Sequence, residues 1–346
     1  MSRARSRTRR AVLFGMAGAA GDMMLAPPRA LAQAKELRIG VQFGLGYLPL
    51  YVAQDAGLLD KHMRAQGLEP VPVRIFNFTG GPQIQDGLIS QSLDIGSGGV
   101  TVMMIGRDRS RGSGGQEMRG LTSLSAVPYE LWTVDQTVRS LADLKADKNK
   151  IGVPSVRVSV PAIFLQMAAE KLLGPGKHAA FDGMTVGLSQ PDGATSLLAG
   201  GGAVDSYVFA PPFNYQMRDK PNIHRVWSSR ELFGTPITAL TTWTTSRFHS
   251  ENPKLIAAFM AAVREAMQII EADRGRAAEI YIKAEKSKLQ ADFVIKMLGD
   301  GDLLFAMAPQ NSFKVAEHLS RIGTLKQKPA DWKDYFFAEI HGEPGS

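Results

Sequence analysis

Residues 37–57, LRIGVQFGLGYLPLYVAQDAG, decide the fold class. Between Leu37 and Phe43, apolar residues alternate with Arg38, Gly40 and Gln42, which is the period-two pattern of a β-strand. A glycine-containing loop occupies residues 44–47, and the helix-like residues 48–56 end at a glycine. The stretch therefore predicts a strand, a small-residue turn and a helix in immediate succession.

The same order recurs twice in the next fifty residues. Residues 71–75 predict a strand, and a turn with Gly80-Gly81-Pro82 then begins a helix that reaches about Ser92. Residues 95–98 predict a third strand, which runs into Gly98-Gly99 and a helix through Met104. This alternation predicts an α/β architecture with mostly parallel strands.

A second series of the same kind follows further along the chain. Residues 151–153 predict a strand, and a helix from Val160 to Leu173 ends at Gly174. Strands are predicted at residues 184–188 and 207–209, with a helix at 194–199 between them, and a further strand at 237–244. Beyond Pro253 apolar residues recur at helical spacing, so the remainder is predicted to be mostly helical.

The polar, glycine-rich residues 107–120 are predicted to be a connection on the surface. This segment contains Arg107, Arg109 and Arg111, so a contact with a partner is the alternative interpretation. The sequence leaves both open.

Composition excludes several classes of protein. The 346 residues are enough for about two domains, and a hydrophobic content of 44% with 21% charged residues suits a chain with a full core. The chain has no cysteine. That excludes disulfide frameworks, thiolate nucleophiles, cysteine-ligated zinc and iron–sulfur clusters.

The net charge of +7 is concentrated at the N-terminus. Residues 1–32 hold six of the 40 basic residues and one of the 33 acidic ones, which leaves 34 basic against 32 acidic residues in the rest. The body of the protein is therefore almost neutral, and we predict no nucleic-acid partner.

The N-terminal residues have the order of a secretory signal. An arginine-rich stretch to Arg10 precedes the mildly apolar residues 11–20 and the small-x-small sequence Ala30-Leu31-Ala32. We predict that residues 1–32 are a signal peptide cut after Ala32, and that the mature protein is in the periplasm of a Gram-negative bacterium. Residues 8–13, TRRAVL, resemble a twin-arginine signal, and the ordinary secretory route stays open.

The sequence carries no recognisable catalytic or metal motif. Its six histidines are scattered singly, and neither a Gly-x-Ser-x-Gly elbow nor a phosphate-binding Gly-x-x-x-x-Gly-Lys-Ser/Thr loop is present. We therefore predict no catalytic residues, no metal site and no cofactor.

The recurring turns before helices suggest a ligand site instead. Helix N-termini present free N–H groups, and ligands of open α/β sheets bind at the carboxyl ends of the strands, where these turns lie. Glycine at positions 80, 81, 98 and 99 would let a ligand approach the backbone. Ordinary chain connections are the alternative interpretation.

The sequence resembles the nitrate/sulfonate/taurine-type substrate-binding proteins of ABC transporters. The resemblance covers most of the predicted mature chain in family order, although each motif alone is weak. The matching segments are Tyr47-Leu48-Pro49-Leu50-Tyr51-Val52-Ala53, Ala56-Gly57-Leu58-Leu59, Gly80-Gly81, Gln85-Asp86-Gly87-Leu88, Leu93-Asp94-Ile95-Gly96, Leu141-Ala142-Asp143-Leu144, Ile151-Gly152-Val153-Pro154-Ser155, Leu197-Leu198-Ala199-Gly200, Gly202-Ala203-Val204-Asp205 and Phe209-Ala210-Pro211-Pro212.

The resemblance implies a two-lobed type II periplasmic binding protein fold with two interlobe crossings, near Tyr129–Val134 and Leu232–Thr241. Lobe one would comprise residues 33–130 and 237–346, and lobe two residues 131–236. The implied function is the capture of a small, anionic organic solute between the lobes for an inner-membrane ABC permease, by a monomeric protein that is not an enzyme. The alternatives are a cofactor-free enzyme on the same scaffold and the ligand-sensing domain of a signalling system.

The resemblance also implies the residues that line the cleft. Two departures from the family pattern, Val156-Arg157-Val158 after a lobe-two strand and Ala210-Pro211 in place of Glu-Pro, put the identity of the ligand in doubt. Arg157 would pair with an anionic group of the ligand, and a solvated surface position is its alternative. The implied ligand-binding residues are Phe43, Gly46, Tyr47, Gly80, Gly81, Ser97, Gly98, Gly99, Thr101, Ser155, Arg157, Ser159, Phe209 and Pro211.

Overall fold

The computed structural model describes residues 34–346. The predicted signal peptide, its cleavage site after Ala32 and the twin-arginine-like residues 8–13 lie outside the described residues. No helix within residues 34–346 is both long enough and apolar enough to span a membrane.

The described chain alternates strands and helices up to residue 245 and is mostly helical beyond it. The strands are β1 (Leu37–Val41), β2 (Val73–Asn77), β3 (Ile95–Gly99), β4 (Met118–Ala126), β5 (Glu130–Thr133), β6 (Ile151–Val153), β7 (Thr185–Gly187), β8 (Ser206–Phe209), β9 (His224–Ser228), β10 (Thr238–Thr245) and β11 (Leu304–Phe305). The helices are α1 (Leu48–Asp55), α2 (Leu58–Ala65), α3 (Gly81–Ile89), α4 (Val100–Ser110), α5 (Val160–Leu173), α6 (Gln190–Leu198), α7 (Phe213–Met217), α8 (Arg230–Phe233), α9 (Ser246–Glu251), α10 (Pro253–Ala272), α11 (Arg274–Glu285), α12 (Ala291–Gly299) and α13 (Phe313–Arg321). Short 3-10 turns occupy Leu45–Tyr47, Gly114–Gln116, Leu141–Asp143, His178–Met184, Trp332–Tyr335 and Ala338–Ile340.

The strands form two sheets. The first has six strands in the order β11-β4-β10-β3-β1-β2, and the second has five in the order β7-β6-β8-β5-β9. The chain passes from the first sheet to the second after Ala126 and returns after Ser228. We call residues 34–126 with 238–346 the first unit and residues 130–228 the second unit, so two crossings join them.

The prediction of mostly parallel strands is wrong for the strand pairings. Within residues 34–346, four strand pairings are parallel (β1 with β2 and β3, β6 with β7 and β8). Five are antiparallel, and all of them involve β4, β5 or β10, the strands that flank the crossings. The chain enters the second sheet through β5 and re-enters the first through β10, and these two strands run against the strands of the βαβ units, whereas β4 runs in the same direction as β3.

The charged residue in the first strand, Arg38, is accommodated by an ion pair with Asp94. Leu37, Ile39 and Val41 are buried, whereas Arg38 donates from its Nη2 to Asp94 Oδ1 at 2.7 Å. The Arg38 backbone N–H and Nε also donate to Asp94 Oδ2, at 2.8 and 2.9 Å. These contacts fix the beginning of β1 beside the residue that precedes β3.

The surface connection predicted at residues 107–120 is wrong in its first part. Helix α4 continues to Ser110, and Arg107 and Asp108 are buried. The Arg107 guanidinium lies 3.1 Å from Glu117 Oε1, and the Asp108 carboxylate accepts from the backbone N–H groups of Lys326 and Gln327. A local pattern of polar residues and glycines does not reveal that distant segments pair these charges inside the protein.

Candidate functional site

A cavity lies between the two units, where the carboxyl ends of strands from both sheets meet. Its wall combines residues after β1, β6 and β8 and the last residue of β3 with residues of α4, α5, α6, β10 and the first crossing. The wall residues are Gln42, Phe43, Gly44, Gly46, Tyr47, Gly99, Val102, Val127, Tyr129, Pro154, Ser159, Val160, Pro161, Gln190, Ala210, Pro211 and Leu240. This is the position at which open α/β sheets bind their ligands.

Direct hydrogen bonds close the cavity by joining the two units. The Leu45 backbone N–H donates to Pro211 O at 2.9 Å, and Gln190 Nε2 donates to Phe43 O at 3.1 Å. The Thr101 hydroxyl donates to Val158 O at 2.6 Å. The structure is therefore a closed arrangement of the units.

The cavity is small in this arrangement. Its empty space is about 460 Å³ when the open mouth is included, but the enclosed part has room for only roughly two water molecules. A larger solute therefore enters only when the two units are further apart or the wall residues move.

The loop after β1 forms the first-unit side of the cavity. Gly44 has a φ of 136°, a backbone conformation that favours glycine, and its N–H lies 3.5 Å from Glu285 Oε1. The hydroxyl of Tyr51 donates to the same carboxylate oxygen at 2.6 Å. Burial raises the pKa of Glu285, while its hydrogen bond with Tyr51 acts in the opposite direction.

Two tyrosines line the cavity next to this loop. The Tyr47 hydroxyl donates to Gln42 Oε1 at 3.4 Å, and Gln42 Nε2 donates to Thr79 O at 3.3 Å. Tyr129, from the first crossing, packs edge-on against Phe164. Burial raises the pKa of both wall tyrosines, so both are neutral donors and acceptors at neutral pH.

The second-unit side is built on the N-termini of α5 and α6. The Ser159 hydroxyl, at the N-cap of α5, donates to Ser155 O at 2.6 Å. Gln190, the first residue of α6, accepts from the Ala210 N–H at 2.8 Å through the oxygen of the amide whose nitrogen donates to Phe43. A single amide group thus links β8 to the first unit.

The structure brings six of the fourteen residues implied by the family resemblance to the cavity wall. Two others face each other where the units meet: a Cβ on Gly80 would clash with Ser155 Oγ. Thr101 also bridges the units, through its bond to Val158. The six in the wall are Phe43, Gly46, Tyr47, Gly99, Ser159 and Pro211.

Four residues of that set are packed within one unit. A Cβ on Gly81 would meet Val102, one on Gly98 would meet Trp243, and Ser97 Oγ donates to Thr241 O at 3.1 Å. Phe209 is fully buried and stacks on Tyr207, with 4.2 Å between the ring centroids. In this arrangement the two glycines and the serine leave room for neighbouring side chains, and the phenylalanine fills the core of its unit.

Arg157 completes the set and lies away from the wall. Its side chain is 70% exposed, and its Nε lies 3.5 Å from Asp182 Oδ2. Its φ of 61° turns the backbone at this position into the left-handed region. The solvated alternative describes its place in this structure, and a contact with ligand stays a prediction.

Sequence reasoning missed eleven wall residues. Gln42 and Gly44 adjoin predicted residues at the end of β1, so the strand-end argument was sufficient to find them. Gln190 follows β7 at a helix start and carried the same signal. Tyr129 lies in the first crossing and Leu240 in β10, and only the packing of the two units shows that they line the wall.

Metal ligands do not cluster in the part of the chain that the structure describes. No group of three or more histidine, cysteine, aspartate or glutamate side chains within residues 34–346 is arranged to hold a metal ion.

The fold is that of the two-domain periplasmic binding proteins. The alkanesulfonate-binding protein SsuA from Xanthomonas axonopodis pv. citri, bound to MOPS, matches with a TM-score of 0.65 at 17% identity over 86% of this chain and 96% of that one. The nitrate-binding protein NrtA from Synechocystis PCC 6803 gives 0.65 at 16% identity, over 88% and 84%. The periplasmic aliphatic sulphonate-binding protein SsuA from Escherichia coli gives 0.60 at 17% identity, over 87% and 99%.

The sequence itself places the chain in a family. Residues 31–283 match the model of the NMT1-like family, and the chain belongs to that family. No curated protein matches the chain by sequence.

Proposed function

We propose that this protein captures a small solute in the cavity between its two units and delivers it to an ABC permease of the inner membrane. The observation that supports this proposal most directly is a closed cavity at the carboxyl ends of strands from both sheets. Hydrogen bonds between the units hold this cavity closed. Two crossings are the only covalent connections between the units within residues 34–346, which suits a hinge. The sulfonate- and nitrate-binding structures with the same fold support this function.

In this proposal the units are lobes that open to admit the solute and close over it. The proposed lobe boundaries fall close to the two crossings, so that lobe one is residues 33–130 with 237–346 and lobe two is residues 131–236. Leu45, Gln190 and Thr101 then act as closing contacts, because each bonds across the cavity. The protein works as a monomer with one site per chain.

The proposal places the protein in the periplasm, with residues 1–32 removed as a signal peptide. The expected mature N-terminus is Gln33. N-terminal sequencing of periplasmic material tests this, and protein that still begins at Met1 or Ser2 would contradict export.

Small-angle X-ray scattering tests opening and closing. The mature protein is measured alone and after incubation with a small-molecule extract of bacterial cells. We expect the radius of gyration to fall with extract, to the value of the closed structure, because ligand binding favours the closed state. An equal radius with and without extract, together with no retained small molecule, would contradict the proposal.

A further inference from the structure

The side chains of the cavity wall carry no charge at neutral pH. Of the seventeen wall residues within 34–346, twelve are apolar, glycine or proline, and the polar ones are two glutamines, two tyrosines and a serine. Lysine, arginine and histidine are absent from this wall. An anion would therefore be desolvated on entry without meeting a cation, which is unfavourable in an enclosed site.

The charged group next to the wall is an acid. The Glu285 carboxylate accepts from the N–H of Gly44, a wall residue, and from the hydroxyl of Tyr51, so it fixes the position of the loop after β1. As a carboxylate it repels an anion in the cavity, and as a neutral carboxyl it offers no positive charge. In neither state does Glu285 supply the positive charge that would stabilise an anionic ligand.

The helix ends around the cavity are also poorly suited to an anion. At the N-terminus of α6 the Asp192 N–H donates to the hydroxyl of the N-cap Ser189, and this hydroxyl donates to the Asp192 carboxylate. In α5 the second residue is Pro161, which lacks an N–H. Two of the free donor groups that would hold an anion are thus occupied or missing.

One polar group in the wall is left without a partner. Tyr129 is 5% exposed, and within residues 34–346 its hydroxyl makes no hydrogen bond. A phenolic hydroxyl in an apolar surrounding is stabilised when it finds a donor or acceptor. A ligand in the cavity is placed to supply one, because Tyr129 forms part of the wall.

We propose that the cavity selects an uncharged, polar solute and that the Tyr129 hydroxyl hydrogen-bonds it. This inference rests on the proposed solute-binding function and narrows it, because the family resemblance implies an anion. The Gln42 and Gln190 amides both donate and accept, so the wall as a whole suits a neutral molecule with donors and acceptors.

The charge of the captured compound tests the class of ligand. The mature protein is incubated with the bacterial extract, washed, and denatured to release what it holds, and the released compound is passed over an anion exchanger at pH 7.5. We expect a compound that is not retained by the exchanger. An anion would overturn this inference and keep the proposed function, whereas no released compound at all would overturn both.

Ethanesulfonate and nitrate serve as direct probes of the opposite class. We expect neither to raise the Tm of the wild-type protein at millimolar concentration. A saturable increase in Tm with either anion would overturn the inference.

Variants test the role of Tyr129. Isothermal titration of the released compound is expected to give a Kd about three- to tenfold higher for Tyr129→Phe, which corresponds to one lost hydrogen bond. Tyr335→Phe, a buried tyrosine remote from the cavity, is the matched control and should bind like wild type. Equal Kd values for Tyr129→Phe and wild type would remove Tyr129 from the recognition of the ligand.

Discussion

The two units meet at two regions of opposite character. The cavity wall is uncharged, and its cross-unit contacts are made by backbone groups, an amide and a hydroxyl. On a flank of the same interface lies a group of three acids and three arginines that we call the flank cluster: Glu130, Arg218, Arg225, Arg230, Asp300 and Asp302.

The flank cluster joins the units by charge. Tyr215 donates its hydroxyl to Asp300 of the first unit, and the Arg218 guanidinium stacks on the Tyr215 ring at 3.6 Å. Arg230, in the return crossing, pairs with Asp302. The difference shows that, where the two units meet, charged groups lie beside opposite charges and hydrogen-bond donors, whereas the enclosed cavity is lined by neutral groups that cost less to desolvate.

The largest effect is expected at the buried acid of the flank cluster. Glu130 is 3% exposed and accepts from Trp132 Nε1, Asn214 Nδ2 and Arg225 Nη1. We expect Glu130→Ala to lower the free energy of unfolding by about 3 kcal/mol, since the buried donors lose their acceptor. Urea unfolding measures it.

Glu339→Ala is the control for that variant, because Glu339 pairs with His249 at the surface and is about two-fifths exposed. Its expected loss is at most about 1 kcal/mol. If both variants lost the same free energy of unfolding, the burial of Glu130 would make no difference to its contribution to stability.

The second prediction concerns the closing of the cavity. A side chain at Gly80 meets Ser155 Oγ and Pro154 O of the opposite unit, with a Cβ distance of 3.2 Å to the latter. Gly80→Leu should hold the units apart and weaken ligand binding about 100-fold, or about 2.7 kcal/mol, because the closed state becomes rare. Calorimetric titration of the captured compound measures this change.

Gly183→Leu is the matched control, because nothing lies within 4 Å of a Cβ at Gly183. We expect it to bind like wild type. If Gly80→Leu also bound like wild type, the close approach of Gly80 to Ser155 would have no part in closure.

A third prediction concerns the pH dependence of stability, and it rests on a second charged contact between the units. His318 of α13 is 2% exposed, and Arg321, Glu170 of α5 and His178 surround it. Burial lowers the pKa of His318 to about 4, and the Arg321 charge acts in the same direction. The hydrogen bond from Arg321 lowers the pKa of Glu170 to about 2, so this acid stays ionised above pH 4.

Between pH 6.5 and pH 5 the unfolded chain protonates this histidine while the folded protein does not. Stability therefore falls as the pH falls, and the contribution of His318 is about 1.5 kcal/mol over that window. Denaturant unfolding at both pH values should show a smaller decrease for His318→Gln than for wild type. The same decrease in both proteins would contradict the assignment to His318.

The smallest effect is expected for Arg157→Ala. Because Arg157 is mostly exposed and paired with Asp182, its removal should change the Kd of the captured compound by less than about twofold. Tyr129→Phe, titrated alongside, shows the size of a real contact. If Arg157→Ala weakened ligand binding tenfold, Arg157 would contact the ligand. The site would then contain a cation, and the contrast with the flank cluster would be lost.

The order of strands and helices could be predicted from the sequence because it depends on local patterns. Helix α5 runs from Val160 to Leu173 with Gly174 after it, as predicted, since a proline in its first turn and the glycine mark its ends. Strand pairing could not be predicted, because the insertion of β10 between β3 and β4 joins residues more than a hundred positions apart.

The candidate site could be predicted only in part, for the same reason. Gly99 and Ser159 come to the wall because they follow strand ends, a local property. Gly81 and Gly98 carry the same local signal but make room for Val102 and Trp243, which the sequence does not identify as neighbours. A glycine before a helix thus indicates that another group packs closely against the backbone there, but it does not show whether that group is a side chain or a ligand.

The position of β10 has a consequence for how the molecule is assembled during synthesis. This strand lies between β3 and β4, where Thr242 pairs with both Ser97 and Thr122. A nascent chain that ends before residue 238 therefore has two unpaired strand edges in the middle of its first sheet, while the strands of its second sheet are all present. The second unit can therefore complete its sheet first. The first sheet stays incomplete, with strand edges exposed to other chains, until a strand more than a hundred residues further along the chain has been synthesised.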